Sequence, residues 1–593
     1  MSPVRVHPAP VLVVGTGPVG LFQAHALATL GVPVIIVGRH LSRLGAPKAH
    51  ALSPRSLEIC RQFDISVAEI RQHPAPRHEA RWVRFVTNLS GQEVGCLPYE
   101  RMSLDVLDAS PEMLHNIAQP DFEAMVMRLI EKNSNVDLRQ GWTWISSEEV
   151  GDGNDAHVST VLKNTYTGEE TTVNSSLVIG CDGANSRVHQ SLGITAEAED
   201  GTETMMTIHF SADLRPVVKD RVGMLHWIMD PMARGFIIAY DLGGNQVLIH
   251  NFDPQHHSLE SFTEEKCRAI VGAAIGQDIP VKFHSSMPWL LRRQVADEYF
   301  RGRVVLAGDS AHSFPPTGGL GLNSGIADAH NLAYKISAVY HGWADLPTVL
   351  RSYQTERRPV AVRNSMQSVR NGRKIFALLK ALKNTDPDVD VARREMALAL
   401  KDPQQFALIQ ELIKEQVEHF DNLMLHIGYV YEPGWNPKNA TVFIPAYRTG
   451  ARVPHAWIKP RAGSLAHLPE VDLSFLQDDL EPTKMARWKY STLDLVAADS
   501  FTLLFDRSSQ WAGKVDGLLA DLNRSRIPVR TVQHGSDFDI VEEQQRQDWL
   551  DGFNLLGGNL VVVRPDQHIA FLAGPAESAE DVAQQIRETM GTA

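Results

Sequence analysis

The first residues with the spacing of a binding site are three glycines near the start of the chain. They follow a short apolar run, 11–14, in the pattern GxGxxG, and a helical pattern and a second apolar run, 34–37, come after them. A strand, a glycine turn, a helix and a strand within about 30 residues form the context that a dinucleotide-binding turn requires. Such glycines let the backbone approach a pyrophosphate at a helix N-terminus, so the stretch predicts an ADP-containing cofactor. The candidate cofactor-binding residues of this turn are Gly15, Gly17, Pro18 and Gly20.

The second strand of this unit ends without the acidic side chain that usually binds the ribose of a dinucleotide. Gly38 occupies that position, and Arg39 and His40 follow it. The sequence therefore predicts that the ribose is held in another way. Either Arg39 makes the contact, or the adenosine end of the cofactor is held loosely.

Three basic side chains, Lys48, His50 and Arg55, lie in the segment after this strand. Pro47 and Pro54 interrupt helix formation there, which indicates a loop. Loops at the carboxyl edge of a doubly wound sheet line its ligand crevice, so these side chains are expected where cofactor and substrate meet. Each of them taken alone is also compatible with an ordinary solvated loop charge.

Two later apolar runs also end in glycine-containing turns. The run 177–179 leads into Asp182-Gly183, and the run 304–307 leads into Gly308-Asp309. A glycine-assisted turn at the end of a buried strand is typical of a phosphate contact. Asp309, at its strand end, is positioned to accept a hydrogen bond from a ribityl or ribose hydroxyl. The helix predicted to begin near Leu322 presents N-terminal amides that would stabilise negative charge on a reduced ring.

The composition is that of an ordinary globular protein with several structural units. The chain has 593 residues, 43% of them hydrophobic and 21% charged, and this length is too great for one core. The net charge of −13 argues against nonspecific nucleic-acid binding. Four widely spaced cysteines without a CxxC pair indicate a reduced compartment and no thiolate metal site. No apolar stretch is typical of a membrane span or a signal peptide, so we expect a cytoplasmic protein without a membrane partner or a bound metal.

Together, the glycine turn at 15–20, the Cys181-Asp182-Gly183 segment and the Gly308-Asp309 turn resemble those of the single-component flavoprotein aromatic hydroxylases. That group includes phenol hydroxylase, 2-hydroxybiphenyl monooxygenase and dichlorophenol hydroxylase. The resemblance covers nearly the whole chain, since the segment 450–457 is similar to the group's entry into a C-terminal thioredoxin-like domain. It implies a homodimeric enzyme that binds FAD and uses NAD(P)H and O2. The implied reaction is hydroxylation of a phenolic aromatic substrate through a C4a-hydroperoxyflavin.

The resemblance also implies the architecture, an α/β fold with three kinds of domain. These are an FAD-binding Rossmann-like domain of the glutathione-reductase or p-hydroxybenzoate-hydroxylase type, an interleaved antiparallel-sheet substrate domain, and the thioredoxin-like domain. The expected boundaries are 1–80, 106–189 and 296–375 for the FAD-binding domain, 81–105 and 190–295 for the substrate domain, 376–435 for a helical arm, and 436–593 for the thioredoxin-like domain. This last domain contains no cysteine, so we expect it to be structural.

Further cofactor contacts follow from the resemblance alone. Arg55 and Gln119 match positions that usually contact FAD, and Asp182-Gly183 is similar to a segment that serves both FAD and NAD(P)H. Lys48 stands where these enzymes usually carry arginine. The cofactor-binding residues implied around the third turn are Asp309, Pro316, Gly319, Gly321, Leu322 and Asn323.

His50 is the predicted centre of the chemistry. It matches a histidine that faces the substrate in the 2-hydroxybiphenyl enzyme, and loss of a phenol's proton makes the ring richer in electrons. A phenol titrates near ~10 and a histidine near ~6.5, so an ordinary histidine is able to accept that proton at neutral pH. A histidine that only orients the loop backbone is the alternative. Beside it, Lys48 is expected next to the flavin, Asn116 stands where relatives can carry an acidic residue, and Tyr240 is expected to line an aromatic pocket.

Other functions remain open at this level. A Baeyer–Villiger or epoxidising oxygenase that acts on polyketide-like aromatics would share the fold. A flavin halogenase is weaker, because the residues after Trp142 and Trp144 have the wrong spacing and no lysine lies in the expected context. A non-catalytic FAD-binding protein is favoured slightly by Gly38 and by the cysteine-free tail, whereas the three complete flavin motifs argue against it.

Overall fold

The computed structural model describes residues 9–42, 49–99, 101–199, 203–252, 261–461, 465 and 468–592. A buried sheet, here called the nucleotide sheet, lies at the centre of the first part of the chain. Its strands, in spatial order, are Phe300–Arg301, Val304–Leu306, Leu177–Gly180, Val11–Val14, Val34–Gly38 and Val136–Gln140. Neighbouring strands are parallel except at the short edge strand. The central strands are rich in valine and isoleucine, which is typical of strands buried on both faces.

The three glycine motifs follow three adjacent strands of the nucleotide sheet. The strand before Gly15 pairs with the one before Cys181, and this strand pairs with the one before Gly308. Because parallel strands end at the same edge, the three turns meet at the carboxyl edge of the sheet. The helices that pack on one another beside these turns are Pro18–Thr29, Pro54–Gln62, Gln119–Glu131 and Leu320–Tyr340.

A second, mostly antiparallel sheet is formed by segments from two parts of the chain. Its strands, in spatial order, are Lys282–Leu291, Glu203–Ser211, Asn245–Phe252, Gly235–Asp241, Leu225–Ile228, Trp82–Val86 and Glu93–Pro98. Side chains alternate between its faces. One face packs on helix Glu264–Ile275. The other face carries Trp227 and Tyr240 and shares a core with Ala51, from the loop after the second strand of the nucleotide sheet.

Small sheets and short helices complete this part of the chain. The small sheets join Trp142–Val150 to His157–Asn164 and Glu170–Ser175, Ala196–Ala198 to Gln294–Ala296 and His312–Ser313, and Ala51–Leu52 to His115–Asn116. The short helices are Val67–Gln72, Arg77–Ala80, Arg187–Leu192 and Arg215–Val218. The pair of Ala51–Leu52 with His115–Asn116 matters most here, because it places His50 beside Asn116.

A helix of 36 residues, Leu346–Ala381, begins where Asp345 caps its N-terminus and continues past Pro359. The sequence analysis put the start of the helical arm at residue 376, which lies inside this helix. The helices that follow it are Val389–Lys401, Pro403–Lys414, Val417–Phe420 and Leu423–Ile427.

The C-terminal part has a sheet of its own. Its strands, in spatial order, are Tyr490–Ser491, Trp457–Pro460, Phe538–Ile540, Val529–His534, Phe501–Asp506, Leu560–Val563 and Ile569–Ala573. The two strands at its centre are parallel, and the last two form an antiparallel hairpin. The helices of this part are Pro482–Arg487, Trp511–Arg524, Glu543–Gly552 and Ala579–Met590.

Buried polar side chains hold the C-terminal part against the nucleotide sheet and its helices. Arg452 lies 2.6 Å from Glu58, and Arg564 lies 2.6 Å from Glu356. Within the described ranges no helix is long and apolar enough to cross a membrane. The same ranges contain no group of three or more His, Cys, Asp or Glu side chains arranged to hold a metal ion.

Candidate active site

The first glycine turn forms a cradle that only glycine permits at two positions. Gly15 has φ of +118°, and a Cβ atom there would lie 2.3 Å from the carbonyl oxygen of Cys181. A Cβ atom at Gly20 would lie 2.0 Å from the carbonyl oxygen of Gly15. Around Gly17, by contrast, a Cβ atom would meet nothing within 4 Å in the described part of the chain. The helix that begins at Pro18 has no acidic residue in its first turn, so the cradle offers open space and partial positive charge that fit a pyrophosphate.

The turn at Asp182 and Gly183 lies beside this cradle, but the Asp182 carboxylate is occupied by protein donors. It accepts hydrogen bonds from the Ser186 hydroxyl and from the Arg187 N–H, the latter at 2.7 Å. Asp182 therefore stabilises the start of the helix Arg187–Leu192. Gly183 has φ of +86° and open space around it, so its backbone remains accessible to a ligand.

The buried carboxylate of Asp328 holds the third turn in place. Asp328 accepts hydrogen bonds from the Gly308 N–H at 3.2 Å, from His312 at 2.6 Å and from Arg357 at 2.8 Å. Burial raises the pKa of Asp328, but the nearby His312 and Arg357 outweigh burial and hold this pKa below its ordinary value. Gly308 has φ of +62°, and Asp309 next to it is exposed at the carboxyl edge, where a ribityl chain would pass.

The helix after this turn begins at Leu320, two residues earlier than predicted, with Gly319 at φ of +63° as its N-cap. It also lacks an acidic residue in its first turn, and a Cβ atom at Gly321 would meet nothing within 4 Å in the described structure. Its first turn therefore carries no negative side chain and fits a ligand that gains negative charge. Pro316 is exposed and Leu322 is half-buried beside it.

Asn323 connects this helix to the loop that carries His50. Its amide oxygen accepts hydrogen bonds from the Ser53 N–H at 2.9 Å and the Ser56 hydroxyl at 2.6 Å. Its amide nitrogen donates to the carbonyl oxygens of Ala51 and Gly319. The side chain of Asn323 thus positions the loop against the glycine turn, and the cofactor contact of Asn323 stays a prediction.

Arg55, Gln119 and Arg39 are also predicted cofactor residues, and each lies in a different environment. Arg55 is buried and donates to Glu58 at 3.0 Å and to Gln567, in the C-terminal part, at 2.6 Å. Gln119 donates to Glu123 at 2.8 Å, and Arg39 is exposed at the end of its strand. Lys48 lies outside the described residues. The FAD contacts implied for Arg55 and Gln119 remain predictions, while their observed bonds hold helices in place.

His50 lies in a polar cluster under the second sheet. Its Nε2 atom and the Tyr99 hydroxyl are 2.8 Å apart, and its ring meets the Tyr240 ring edge-on with the centroids 6.0 Å apart. Tyr240 is 2% exposed and Asn116 is 1% exposed. Neither the Tyr240 hydroxyl nor either amide atom of Asn116 has a hydrogen-bond partner among the described residues. Buried polar atoms of this kind are rare in folded proteins and indicate a place for a ligand.

Burial changes the acid–base properties of this cluster. It lowers the pKa of His50 from the ordinary 6.5 to about 4, and it raises the pKa of Tyr240. The ordinary histidine pKa assumed in the sequence analysis is therefore wrong for this position, because the cluster takes His50 out of water. Both side chains are neutral at neutral pH, so the cluster is uncharged.

Two residues that the structure brings to these sites, Tyr99 and Asp328, were not predicted from the sequence. Tyr99 had no signal other than being aromatic, and its role follows only from the distance to His50. Asp328 stands in the apolar part of a helical pattern, and an acidic residue at such a position was a usable signal. Trp227 lies on the same face of the second sheet as Tyr240, and its buried indole N–H, without a partner among the described residues, is visible only in the structure.

Comparisons with known proteins agree with this geometry. The profile of the family described as "FAD binding domain" matches residues 8–368. A Streptomyces coelicolor protein named "Putative polyketide hydroxylase" is 34% identical over 644 residues, which cover 99% of this chain and 97% of that protein. The 2,4-dichlorophenol 6-monooxygenase of Cupriavidus pinatubonensis is 27% identical over 626 residues, which cover 98% and 96%. The solved structure of the flavin-dependent monooxygenase PieE, in complex with FAD and substrate, has a TM-score of 0.84 and 25% identity, with 99% of both chains covered.

The match covers more than half of the chain, so the protein belongs to the FAD binding domain family. Within it, the likeness extends over nearly the full length of monooxygenases and hydroxylases. The protein is therefore an enzyme of the FAD-dependent monooxygenase class. The glycine cradles at the carboxyl edge fit FAD, since they combine open space at Gly17 and Gly321 with two helix N-termini free of acidic residues.

Proposed function

We propose that the enzyme uses NAD(P)H, O2 and FAD to hydroxylate a phenolic aromatic ring. The observation that carries the proposal is the cluster of His50, Tyr99 and Tyr240, with Asn116 on the strand that pairs with Ala51. The cluster is neutral, buried, and tied through Asn323 to the turn at Gly319. An uncharged pocket with both donors and acceptors suits a phenolic hydroxyl better than a carboxylate or an ammonium group.

The chain's own residues bind the hydroxyl and handle its proton. The Tyr99 hydroxyl accepts a hydrogen bond from the substrate O–H and in turn donates to His50 Nε2, which lies 2.8 Å away. The pKa of His50, lowered by burial to about 4, is far below the ~10 of a phenol, so His50 polarises the O–H bond and does not store its proton. The Asn116 amide and the Tyr240 hydroxyl orient the ring. A bound FAD would supply the activation of O2: one oxygen atom is added to the ring and the other leaves as water, with the electrons taken from NAD(P)H.

Turnover with a compound panel tests the proposal. We would measure the oxidation of NADH and NADPH, together with oxygen uptake, in the presence of substituted phenols, resorcinols and polyketide-like aromatics. Mass spectrometry would identify the products. We expect a phenolic compound to accelerate oxidation and to gain one oxygen on the ring. The variant His50→Asn is expected to lose this product about 100-fold, whereas His78→Asn, whose side chain is 78% exposed, keeps it. If no phenolic compound gains ring oxygen, the proposal is wrong.

A second candidate is a polyketide-like, fused-ring substrate, and the length of the second sheet's inner face favours it. Trp227 pairs with Phe236, which lies four residues before Tyr240 on the same strand and face. The indole N–H of Trp227 and the hydroxyl of Tyr240 are the polar groups at the two ends of this part of the face. At about 3.3 Å per residue along the strand, the positions that carry them are roughly 13 Å apart. A single phenol ring is shorter than this span, and Ile238 between the ends is apolar. A fused-ring compound with an oxygen at each end matches both of them.

The two substrate classes are separated by one pair of variants. Trp227→Phe is expected to raise the Kd of fused-ring ligands about three- to tenfold and to leave that of monocyclic phenols unchanged. Trp289→Phe is the matched control, because the Trp289 indole already donates to Thr207 at 2.8 Å. Equal effects of Trp227→Phe on both classes contradict the fused-ring candidate. A product that gains oxygen with ring expansion or an epoxide supports the Baeyer–Villiger or epoxidising alternative for the same substrates.

The remaining parts of the proposal concern organisation. We assign residues 436–593 to a thioredoxin-like domain, supported by the parallel pair Phe501–Asp506 and Val529–His534, the helix Trp511–Arg524 between them, and the antiparallel hairpin that follows. The interleaved division of the first 435 residues, a homodimer and a cytoplasmic location belong to the same proposal. Light scattering of the purified protein tests the dimer, which a monomeric mass would contradict.

A further inference from the structure

The end of the second nucleotide strand, at Gly38, has an unusual neighbour. A Cβ atom at Gly38 would lie 2.3 Å from the Thr16 hydroxyl oxygen, 2.6 Å from its Cγ2 and 3.0 Å from its Cβ. The backbone at Gly38 does not require glycine, since its φ is not in the left-handed region. The three atoms nearest to such a Cβ all belong to Thr16, so the Thr16 side chain excludes a side chain at position 38.

Position 38 is where dinucleotide-binding folds usually place the acidic residue that binds the ribose. In this chain the Thr16 hydroxyl fills the space where such a side chain would begin. The two positions are held side by side, because the Gly15 N–H donates to the Val37 carbonyl oxygen at 2.8 Å. A hydroxyl both donates and accepts hydrogen bonds, so it is chemically able to bind a ribose hydroxyl without a negative charge.

We propose that Thr16 and Gly38 form an exchanged pair at the adenosine-ribose subsite, in which the Thr16 hydroxyl replaces the missing carboxylate. The subsite is then neutral, with the exposed Arg39 next to it. This inference concerns how the enzyme holds the adenosine half of FAD. It is independent of which substrate is oxygenated.

The test measures how tightly the apoproteins of four variants bind FAD, by flavin fluorescence. FMN, which lacks the adenosine half, is titrated in parallel as a control ligand. T16A is expected to weaken FAD binding about three- to tenfold, and T16S, which keeps the hydroxyl, stays within about twofold of the parent. G38E weakens FAD binding in the parent, because its Cβ meets Thr16. In the T16A background the same G38E change tightens FAD binding, because the carboxylate then has room and reaches the ribose.

The reversed sign of the G38E effect is the diagnostic result, and FMN affinity is expected to be the same in all variants. The proposal is overturned if T16A binds FAD as tightly as the parent, if G38E weakens binding in both backgrounds, or if FMN binding shifts as much as FAD binding. Melting temperatures of the apoproteins monitor folding. Should G38E alone fail to fold, T16A, T16S and T16A/G38E still decide between these results.

Discussion

Replacing Arg452 with methionine tests how strongly the C-terminal part is held against the nucleotide sheet. The Arg452 guanidinium makes two bonds to Glu58, at 2.6 Å and 2.9 Å, and both side chains are 1% exposed. Glu58 also contacts Arg55 at 3.0 Å and accepts from the Ser110 hydroxyl at 2.6 Å. The methionine variant leaves a buried carboxylate that has lost the stronger of its two cations.

The expected loss of stability is about 3 kcal/mol. Breaking a buried pair by removing one partner costs about 3–5 kcal/mol, and the remaining Arg55 places Glu58 at the lower end of that range. Burial raises the pKa of Glu58, but Arg452 and Arg55 outweigh it and together lower this pKa from 4.5 to about 2, so the carboxylate stays charged in the folded protein at neutral pH.

Hydrogen exchange followed by mass spectrometry is the assay, because it reports the opening free energy of each segment. Peptides that contain residues 54–62 and 449–458 lie on the two sides of the contact. We expect both to open more easily by about 3 kcal/mol in Arg452→Met. In the parent protein this stabilisation is complete above pH 4.5 and is lost as the pH falls toward 2, since the folded pKa of Glu58 is lowered.

Arg461→Met is the matched control, because Arg461 and Asp539 form a 2.8 Å pair in the same part of the chain with both side chains 44% exposed. It is expected to cost less than about 1 kcal/mol. The double variant Glu58→Leu/Arg452→Met should recover most of the loss, since no buried charge remains unpaired. A loss below about 1 kcal/mol in Arg452→Met, or no recovery in the double variant, would refute the reasoning.

Three further predictions concern the cofactor and substrate sites. Gly20→Ala is expected to lose the fold or the flavin. Gly17→Ala is expected to keep the melting temperature of the apoprotein, because a Cβ atom there would meet nothing within 4 Å among the described residues. Its methyl group enters the open cradle, so fluorescence titration should show FAD binding at least tenfold weaker. Asp328→Asn is expected to lower stability by about 2–4 kcal/mol in urea unfolding and to reduce bound flavin, since it weakens the support of the Gly308 turn; full flavin content would contradict this. For His50, burial lowers the pKa to about 4, so kcat with a phenolic substrate should remain constant as the pH falls through 6.5 and decline only toward 4. A decline centred at 6.5 would show that His50 is more solvated than the structure indicates.

The spacing of neighbouring residues in the sequence was enough to predict features that depend on local backbone conformation. The three glycine turns were predicted because each combines a short apolar run with glycines within a few residues. The positive φ angles of Gly15, Gly183 and Gly308 are what those turns require. The strand Phe501–Asp506 and the helix Ala579–Met590 also carry a hydrophobic pattern that is local to each segment.

Tertiary structure alone decided which distant residues meet and how much water reaches them. His50, Tyr99 and Tyr240 come from three separate segments, and their meeting buries His50 and lowers its pKa in a way that no local pattern encodes. Arg55 was matched to a cofactor contact, yet its guanidinium binds a residue 512 positions away. The absence of an acidic residue at Gly38 was plain in the sequence, but its cause, the Thr16 side chain in the same space, depends on packing between two strands. Spacing along a chain specifies backbone conformation, whereas burial, pKa and steric exclusion arise only when the folded chain brings separate segments into contact.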